Sequence, residues 1–127
     1  MALRALPRPI PHPYPAKPAR GRPPTLRGVP AYVCLLEIQI SLPHVTSLKE
    51  KRRIVKSLTS QVRQRFGAAI SEVADHDVRG HAILLSALVG GRDIVKRADE
   101  LARFVEARCP DGCTFERDLR TLADIRG

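Results

Sequence analysis

Residues 32–53 read YVCLLEIQISLPHVTSLKEKRR, and this stretch sets the order of the first two elements. Residues 32–41 are rich in β-forming side chains and alternate polar with apolar residues at their end, which predicts a first strand. Ser47, followed three residues later by Glu50, is typical of a capping box, in which each side chain accepts a hydrogen bond from the other's backbone N–H. The stretch therefore predicts a strand followed, after a short connection, by a helix.

The first helix is predicted over residues 48–66, because apolar residues recur there at helical spacing. With steps of seven, three, four and four residues, one apolar face is formed by Leu48, Val55, Leu58, Val62 and Phe66. Gly67 is well placed as the C-terminal cap. Lys51 flanks this stripe, so we expect its aliphatic stem to lie on the edge of the core while its ammonium group reaches water.

The remaining elements complete a βαββαβ order. The pattern predicts strand two over residues 68–74, strand three over 81–89, helix two over about 93–108 and strand four over 113–119. This order consists of two consecutive βαβ units. It predicts an α+β, ferredoxin-like architecture, in which a four-stranded antiparallel sheet carries both helices on one face. Strands one and three are central in that topology, and in strand four Phe115, Arg117 and Leu119 fall on one face.

Both faces of the two central strands are apolar over part of their length. Val33 and Leu35 of strand one point away from the side of Leu36 and Ile38. In strand three, one face has Ile83, Leu85, Ala87 and Val89, and the other has Ala82, Leu84 and Leu88. Since helices cover only one side, the open sheet face predicts a partner surface, and we expect it to form a homodimer or to pack on another protein.

Charge and proline are concentrated at the start of the chain. Its 127 residues suit one domain, and its net charge is +9. Residues 1–30 hold nine of the 11 prolines and six cations with no acid, which predicts a disordered tail before a domain over residues 31–127. Residues 47–66 hold seven cations and one acid, so the rest of the domain is acidic. A basic element of this kind attracts polyanions such as RNA.

Cysteine usage and hydropathy predict a cytoplasmic protein. The chain has an odd number of cysteines, Cys34, Cys109 and Cys113, and their spacing is not that of a disulfide framework. This usage fits a reducing compartment. There is no apolar run of the length of a membrane span and no continuous apolar stretch of a secretory signal at the start, so no membrane partner is expected. We expect Cys34 to be a buried small apolar residue.

The candidate binding residues lie on the first helix, where Glu50 is the single acid and the cations lack the usual partners one turn away. Opposite the apolar stripe, a row of cations suited to phosphate contacts is formed by Lys49, Arg53, Lys56 and Arg63, with Arg52 beside them. A solvated helix face without function is the other interpretation. Tyr32 is the single aromatic residue of the central strands, so recognition of RNA backbone or shape is expected rather than base stacking on the sheet.

No motif predicts catalysis, a metal or a cofactor. The chain lacks a P-loop, a nucleophile elbow and a glycine-rich dinucleotide turn. The loop Asp75-His76-Asp77 with His81 nearby, and Cys109 with Cys113, do not match the spacing of a closed zinc site. Gly90-Gly91 before helix two could offer N–H groups to an anion, but a simple turn is the commoner use. We therefore expect a non-enzymatic protein.

Several of these residues also carry a family resemblance. Leu42-Pro43, the block from Ser47 to Arg53, Arg63 to Phe66, Glu72-Val73 and Asp77 resemble the small bacterial DUF503 or YlxP-like family, from Val33 to about Leu122. The resemblance implies a ferredoxin-like fold, no established catalytic residues, and a ribosome-associated role in translation or ribosome maturation. One departure is that Arg79 and Gly80 stand where the family often has a Trp-Gln or His-Gln pair.

Two functions follow as expectations. The first is a non-enzymatic cytoplasmic protein that binds structured RNA or a ribosomal subunit through the basic first helix. The alternative is a regulatory dimer that binds a small ligand at the loop 75–81 or at Gly90-Gly91.

Overall fold

A computed structural model describes residues 28–127 of the chain. Along the chain the elements are β1 (Tyr32–Ser41), α1 (Leu48–Phe66), β2 (Ala69–Ala74), β3 (His81–Gly90), α2 (Ile94–Arg108), β4 (Cys113–Thr121) and α3 (Leu122–Arg126). The bounds predicted for β1 and α1 are confirmed, and those of the next four elements differ by one or two residues at their ends. The predicted disordered tail lies outside the described residues up to Arg27, so the division into tail and domain stays a prediction.

The four strands form one antiparallel sheet in the order β2-β3-β1-β4, which confirms the ferredoxin-like prediction. The central strands β1 and β3 pair along their whole length, from Tyr32 opposite Gly90 to Ser41 opposite His81. None of the helices within residues 28–127 combines the length and the apolar character needed to cross a bilayer.

The core lies between the sheet and helices α1 and α2. It is formed by alternate residues of the two central strands together with the apolar stripes of both helices, because these are the side chains that face the same layer. Leu36, Ile38 and Leu84 of the sheet and Val62 and Leu101 of the helices are almost completely buried. Cys34 is buried as predicted, and Phe115 of β4 packs against the same core.

The short helix α3 is absent from the sequence prediction, which ended strand four at residue 119. β4 continues to Thr121, and α3 starts there with a capping box between Thr121 and Asp124. Asp124 N donates to Thr121 Oγ1 over 3.0 Å, and Thr121 N donates to Asp124 Oδ2 over 2.9 Å. The hydrogen bond that Thr121 N donates to the carboxylate lowers the pKa of the Asp124 carboxyl. The signal was therefore present in the sequence as Thr-x-x-Asp.

The sheet face away from α1 and α2 has an apolar part and an acidic part. Cross-strand register places Val33 beside Val89 and Leu35 beside Ala87, and Leu85 is 40% exposed and Val89 70% exposed. Towards β4, the same face has the acidic residues Glu37, Glu116 and Asp118, followed by Arg120. The apolar part is the surface on which the sequence predicted a dimer contact.

Candidate nucleic-acid interface on the first helix

The start of α1 is fixed by local hydrogen bonds that differ in one respect from the predicted capping box. Ser47 is the N-cap, and its Oγ accepts a hydrogen bond of 3.1 Å from Glu50 N, as predicted. Glu50 Oε2 reaches one residue further back than expected and accepts from Thr46 N at 3.2 Å and from Thr46 Oγ1 at 3.0 Å. These two hydrogen bonds lower the pKa of the Glu50 carboxyl. Glu50 is thus engaged at the cap and forms no ion pair with the cations one turn later, although the charge of Arg53 also lowers its pKa a little.

Three of the five predicted binding residues are free of acidic partners within residues 28–127. Lys49, Arg53 and Lys56 are exposed, and no carboxylate of this part of the chain lies within ion-pair distance of them. Residues 1–27 contain no aspartate or glutamate. No acidic side chain of this protein therefore forms an ion pair with these three residues, which face solvent along one side of α1.

The other two predicted residues make contacts within the fold. Arg52 Nη2 lies 3.7 Å from Asp77 Oδ1, and both side chains are mostly exposed, so this pair contributes little to stability. Arg63 Nη2 donates to the backbone carbonyl of Ile70 over 2.7 Å and thereby ties α1 to β2. Arg63 keeps an exposed side chain, but its guanidinium group is oriented by the fold.

The prediction that the ammonium group of Lys51 reaches water is wrong. Its side chain is completely buried, and Nζ lies 2.5 Å from the carbonyl oxygen of Asp75, 2.6 Å from that of Val78 and 3.0 Å from Glu72 Oε2. The carbonyl oxygen of His76 also lies 3.5 Å from Nζ, so the hydrogen-bond acceptors of this ammonium group are backbone carbonyls of the loop after β2. Glu72 Oε2 is itself buried and accepts no well-aligned hydrogen bond within residues 28–127, so its link to Lys51 is an ion pair. Lys51 is thus a structural residue that joins α1 to β2 and to the following loop.

The loop between β2 and β3 takes its shape around this ammonium group. β2 is irregular between Glu72 and Ala74, and Asp75 follows with a φ of 58°, a left-handed conformation that is uncommon for residues other than glycine. The carbonyls of Asp75 and Val78, which lie closest to Lys51 Nζ, come from either side of a turn closed by Val78 N and Asp75 O at 2.9 Å. Asp75 Oδ2 also lies 2.9 Å from His81 Nδ1. The loop therefore borders the start of α1, where Lys49 and Arg52 are exposed.

The sequence contains a signal for the burial of Lys51 in the spacing of the apolar residues of α1. Residues 48, 51, 55, 58 and 62 follow steps of three, four, three and four, which places Lys51 on the apolar stripe and not beside it. The predicted apolar face passed directly from Leu48 to Val55, a step of seven residues, and so left out the position between them. What the sequence does not show is that carbonyls 24 and 27 residues away would provide the acceptors.

The Gly90-Gly91 turn is filled by a side chain of α2. Arg97 Nη1 donates to the carbonyl of Val89 over 3.1 Å, and its Nη2 donates to the carbonyl of Phe66 over 3.0 Å. A Cβ atom on Gly90 would lie 2.7 Å from this Nη1. The glycine therefore makes room for Arg97, which connects the end of α1 to the start of α2.

The arrangement offers few groups for catalysis or metal binding. Within residues 28–127, no three side chains of His, Cys, Asp or Glu come together as metal ligands would. Burial raises the pKa of the Cys109 thiol to about 11, with Cys113 beside it, and burial also raises the pKa of Cys113. A thiol with a raised pKa is a poor nucleophile at neutral pH, so these two cysteines act as packing groups.

A groove of about 420 Å³ lies between α1 and the ends of β1 and α2. Its apolar lining consists of Ile40, Leu42, Ile54, Val55, Leu58 and Cys109. Its polar lining consists of Arg53, Ser57, Gln61 and Arg108. Sequence reasoning missed this groove, because its walls come from three separate parts of the chain.

Comparison with known proteins gives one family. A family model described as a protein of unknown function, DUF503, matches residues 33–114. No curated protein matches the chain. Among solved structures, the chain is similar to a de novo designed protein, Foldit4, at 13% identity and a TM-score of 0.46, over 72% of this chain and 97% of the designed one. A likeness at that level carries no argument about function.

Proposed function

This chain belongs to the DUF503 family of proteins of unknown function, and we propose that it is a non-enzymatic cytoplasmic protein that binds structured RNA or a ribosomal subunit through α1. The observation that carries the proposal is the row of exposed cations Lys49, Arg53 and Lys56, which have no acidic partner in the chain. Unpaired like charges on one helix face reduce helix stability slightly, so a binding role explains them better than a folding role does.

The arrangement of charge favours contact with the phosphate backbone by the helix and not by the sheet. The open sheet face carries Glu37, Glu116 and Asp118, whose charges repel phosphate. It also lacks the aromatic residues on which sheet-based RNA-binding domains stack unpaired bases. The six cations of residues 1–27 add charge of the same sign as α1. Each phosphate that the protein neutralises releases counterions, so binding should weaken strongly as salt is added.

The test of this function is co-sedimentation of the full chain with purified ribosomal subunits. We expect the protein to pellet with a subunit at about 50 mM salt and to be released at about 300 mM, as counterion release requires. Repeating the experiment with a chain that begins at Gly28 shows how much the basic segment before it adds. If the full chain stays in the supernatant at the lower salt concentration, the ribosomal proposal is wrong.

The alternative of a small-ligand regulatory dimer receives less support from the geometry. At Gly90-Gly91, the space beside Gly90 is occupied by the guanidinium group of Arg97, which donates to the carbonyls of Val89 and Phe66. At the loop 75–81, the carbonyls that point inward already accept from Lys51. Each of these two places is thus filled by a cationic side chain of the protein itself.

The proposal includes a homodimer formed through the apolar part of the open sheet face. Replacing Val89 with arginine should convert the dimer to a monomer, because it places a charge in the apolar contact, beside Val33. Size-exclusion chromatography with light scattering measures the mass. Ile125→Arg is the matched control, since Ile125 is 56% exposed and lies on α3, and it should leave the mass unchanged. A wild-type monomer at high micromolar concentration would contradict the dimer.

A further inference from the structure

The groove between α1 and the ends of β1 and α2 has no part in the proposed RNA contact, apart from Arg53 on its edge. Six of its lining residues are apolar, and one of them, Ile54, is 38% exposed, although it lies on a helix whose outward side is otherwise polar. At about 420 Å³, the groove is within the size range of ligand sites in proteins, about 300–1,000 Å³. An apolar site of this size at the surface is suited to one or two aliphatic side chains.

The charged groups at this groove are of one sign. Arg53 and Arg108 line it, and none of its lining residues is acidic. Arg108 is held in place, because its guanidinium carbon lies 3.5 Å from the centre of the Phe104 ring and its Nε donates to Gln61 Oε1 over 3.0 Å. Arg53, by contrast, forms no ion pair or side-chain hydrogen bond within residues 28–127. The groove thus combines a fixed cation and a free cation with an aliphatic floor.

We propose that this groove binds an acidic amphipathic segment of a partner protein. An aliphatic side chain of the segment would lie on Ile54 and Leu58, and its carboxylates would pair with Arg53 and Arg108. The lining residues Ile54, Leu58 and Gln61 follow one another along α1 at helical spacing, so a segment of two or three turns can lie beside the helix.

Charge and shape disfavour the other occupants. Residues 1–27 of the chain are basic and would be repelled by Arg53 and Arg108. The acidic residues Glu37, Glu116 and Asp118 of a second copy lie on the face of a four-stranded sheet, which is too broad to enter a groove of this volume. An RNA base would meet aliphatic side chains with no aromatic ring among them, so it would gain little from stacking.

The probe for this proposal is a fluorescein-labelled synthetic peptide of about 14 residues, with leucines at i, i+3, i+4 and i+7 and glutamates elsewhere. Fluorescence anisotropy measures its binding to the full chain. We expect Ile54→Glu and Arg53→Glu each to weaken binding at least about tenfold, since one removes the apolar contact and the other reverses the free cation. The matched control is Val95→Glu on α2, where Val95 is 42% exposed and lies outside the groove. It should bind the peptide like the wild type.

Two further measurements decide the nature of the contact. A peptide with serines in place of the leucines should bind at least about tenfold more weakly, and an amide spectrum should show peptide-induced shifts at Leu42, Ile54 and Leu58. Equal binding by the leucine and serine peptides would reduce the contact to charge and overturn the proposal. Equal peptide binding by Ile54→Glu and Val95→Glu would also overturn it. The same holds if the protein binds an oligouridylate and Ile54→Glu abolishes that binding. None of these readouts depends on ribosomal subunits, so the proposal stands or falls separately from the RNA contact.

Discussion

Replacing Lys51 with methionine is expected to lower the free energy of unfolding by about 3 kcal/mol, near the lower end of the range of about 3–5 kcal/mol for breaking a buried ion pair. The change leaves the Glu72 carboxylate without its partner and the carbonyl of Val78 without a donor, while the carbonyl of Asp75 keeps only its hydrogen bond from Val78 N. The loop lies at the surface, so water can reach part of these groups after the loss, which keeps the effect at the lower end. Urea unfolding followed by circular dichroism measures the change.

The matched control for this variant is Lys49→Met, two residues earlier on the same helix. Lys49 is exposed and unpaired within residues 28–127, so its replacement should change stability by less than about 0.5 kcal/mol. Adding Glu72→Gln to Lys51→Met removes the unpaired buried charge and should recover about 1 kcal/mol. A Lys51→Met protein that unfolds at the urea concentration of the wild type would show that the ammonium group does not hold the loop.

Reversing the charge of Arg53 and Lys56 together is expected to weaken binding to a structured RNA hairpin by about 10–100-fold at about 50 mM salt. Both side chains are exposed and have no acidic partner in the described part of the chain, so their charge is available to phosphate. Each lost phosphate contact should reduce the slope of log K against log salt by about 0.7–0.9. The double variant Arg53→Glu with Lys56→Glu should therefore have a slope lower by about 1.5 in filter-binding titrations across salt concentrations.

A second double variant controls for net charge in this experiment. Lys96→Glu with Arg103→Glu changes the net charge by the same amount on α2, where both side chains are exposed. It should retain most of the affinity and the wild-type slope. Equal losses in the two double variants would mean that RNA responds to total charge and not to the α1 face. No loss in either would remove α1 from the interface.

Neighbouring cations of the short basic segment at the start of α1 are expected to have different roles. Lys49, Lys51 and Arg53 lie within five residues of sequence, and by charge alone they look alike. In the fold, Lys51 is buried and donates hydrogen bonds to the loop between β2 and β3, while Lys49 and Arg53 face solvent. A substitution at Lys51 should therefore affect stability first, and one at Arg53 should affect binding first.

Most of the fold could be predicted from the sequence because its signals are local. The alternation of β1 and the apolar stripe of α1 are periodicities within about 20 residues, and each matches the repeat of one kind of element. The N-cap at Ser47 and the C-cap at Gly67, with a φ of 62°, are likewise set by single residues. The short helix α3 was missed, although Thr121 and Asp124 carry the same type of start signal, because it has only five residues and no periodicity to detect.

The sequence by itself determined the elements, their order and the concentration of positive charge on α1, because each depends on side chains that are close along the chain. Only the tertiary structure decided what each cation does. Lys51 is buried because Glu72 and two carbonyls of the next loop, more than 20 residues away, come within hydrogen-bonding distance once β2 pairs in the sheet. The groove beside Arg53 likewise exists only where residues of β1, α1 and α2 meet, since contacts between distant parts of the chain leave no periodic trace in the sequence.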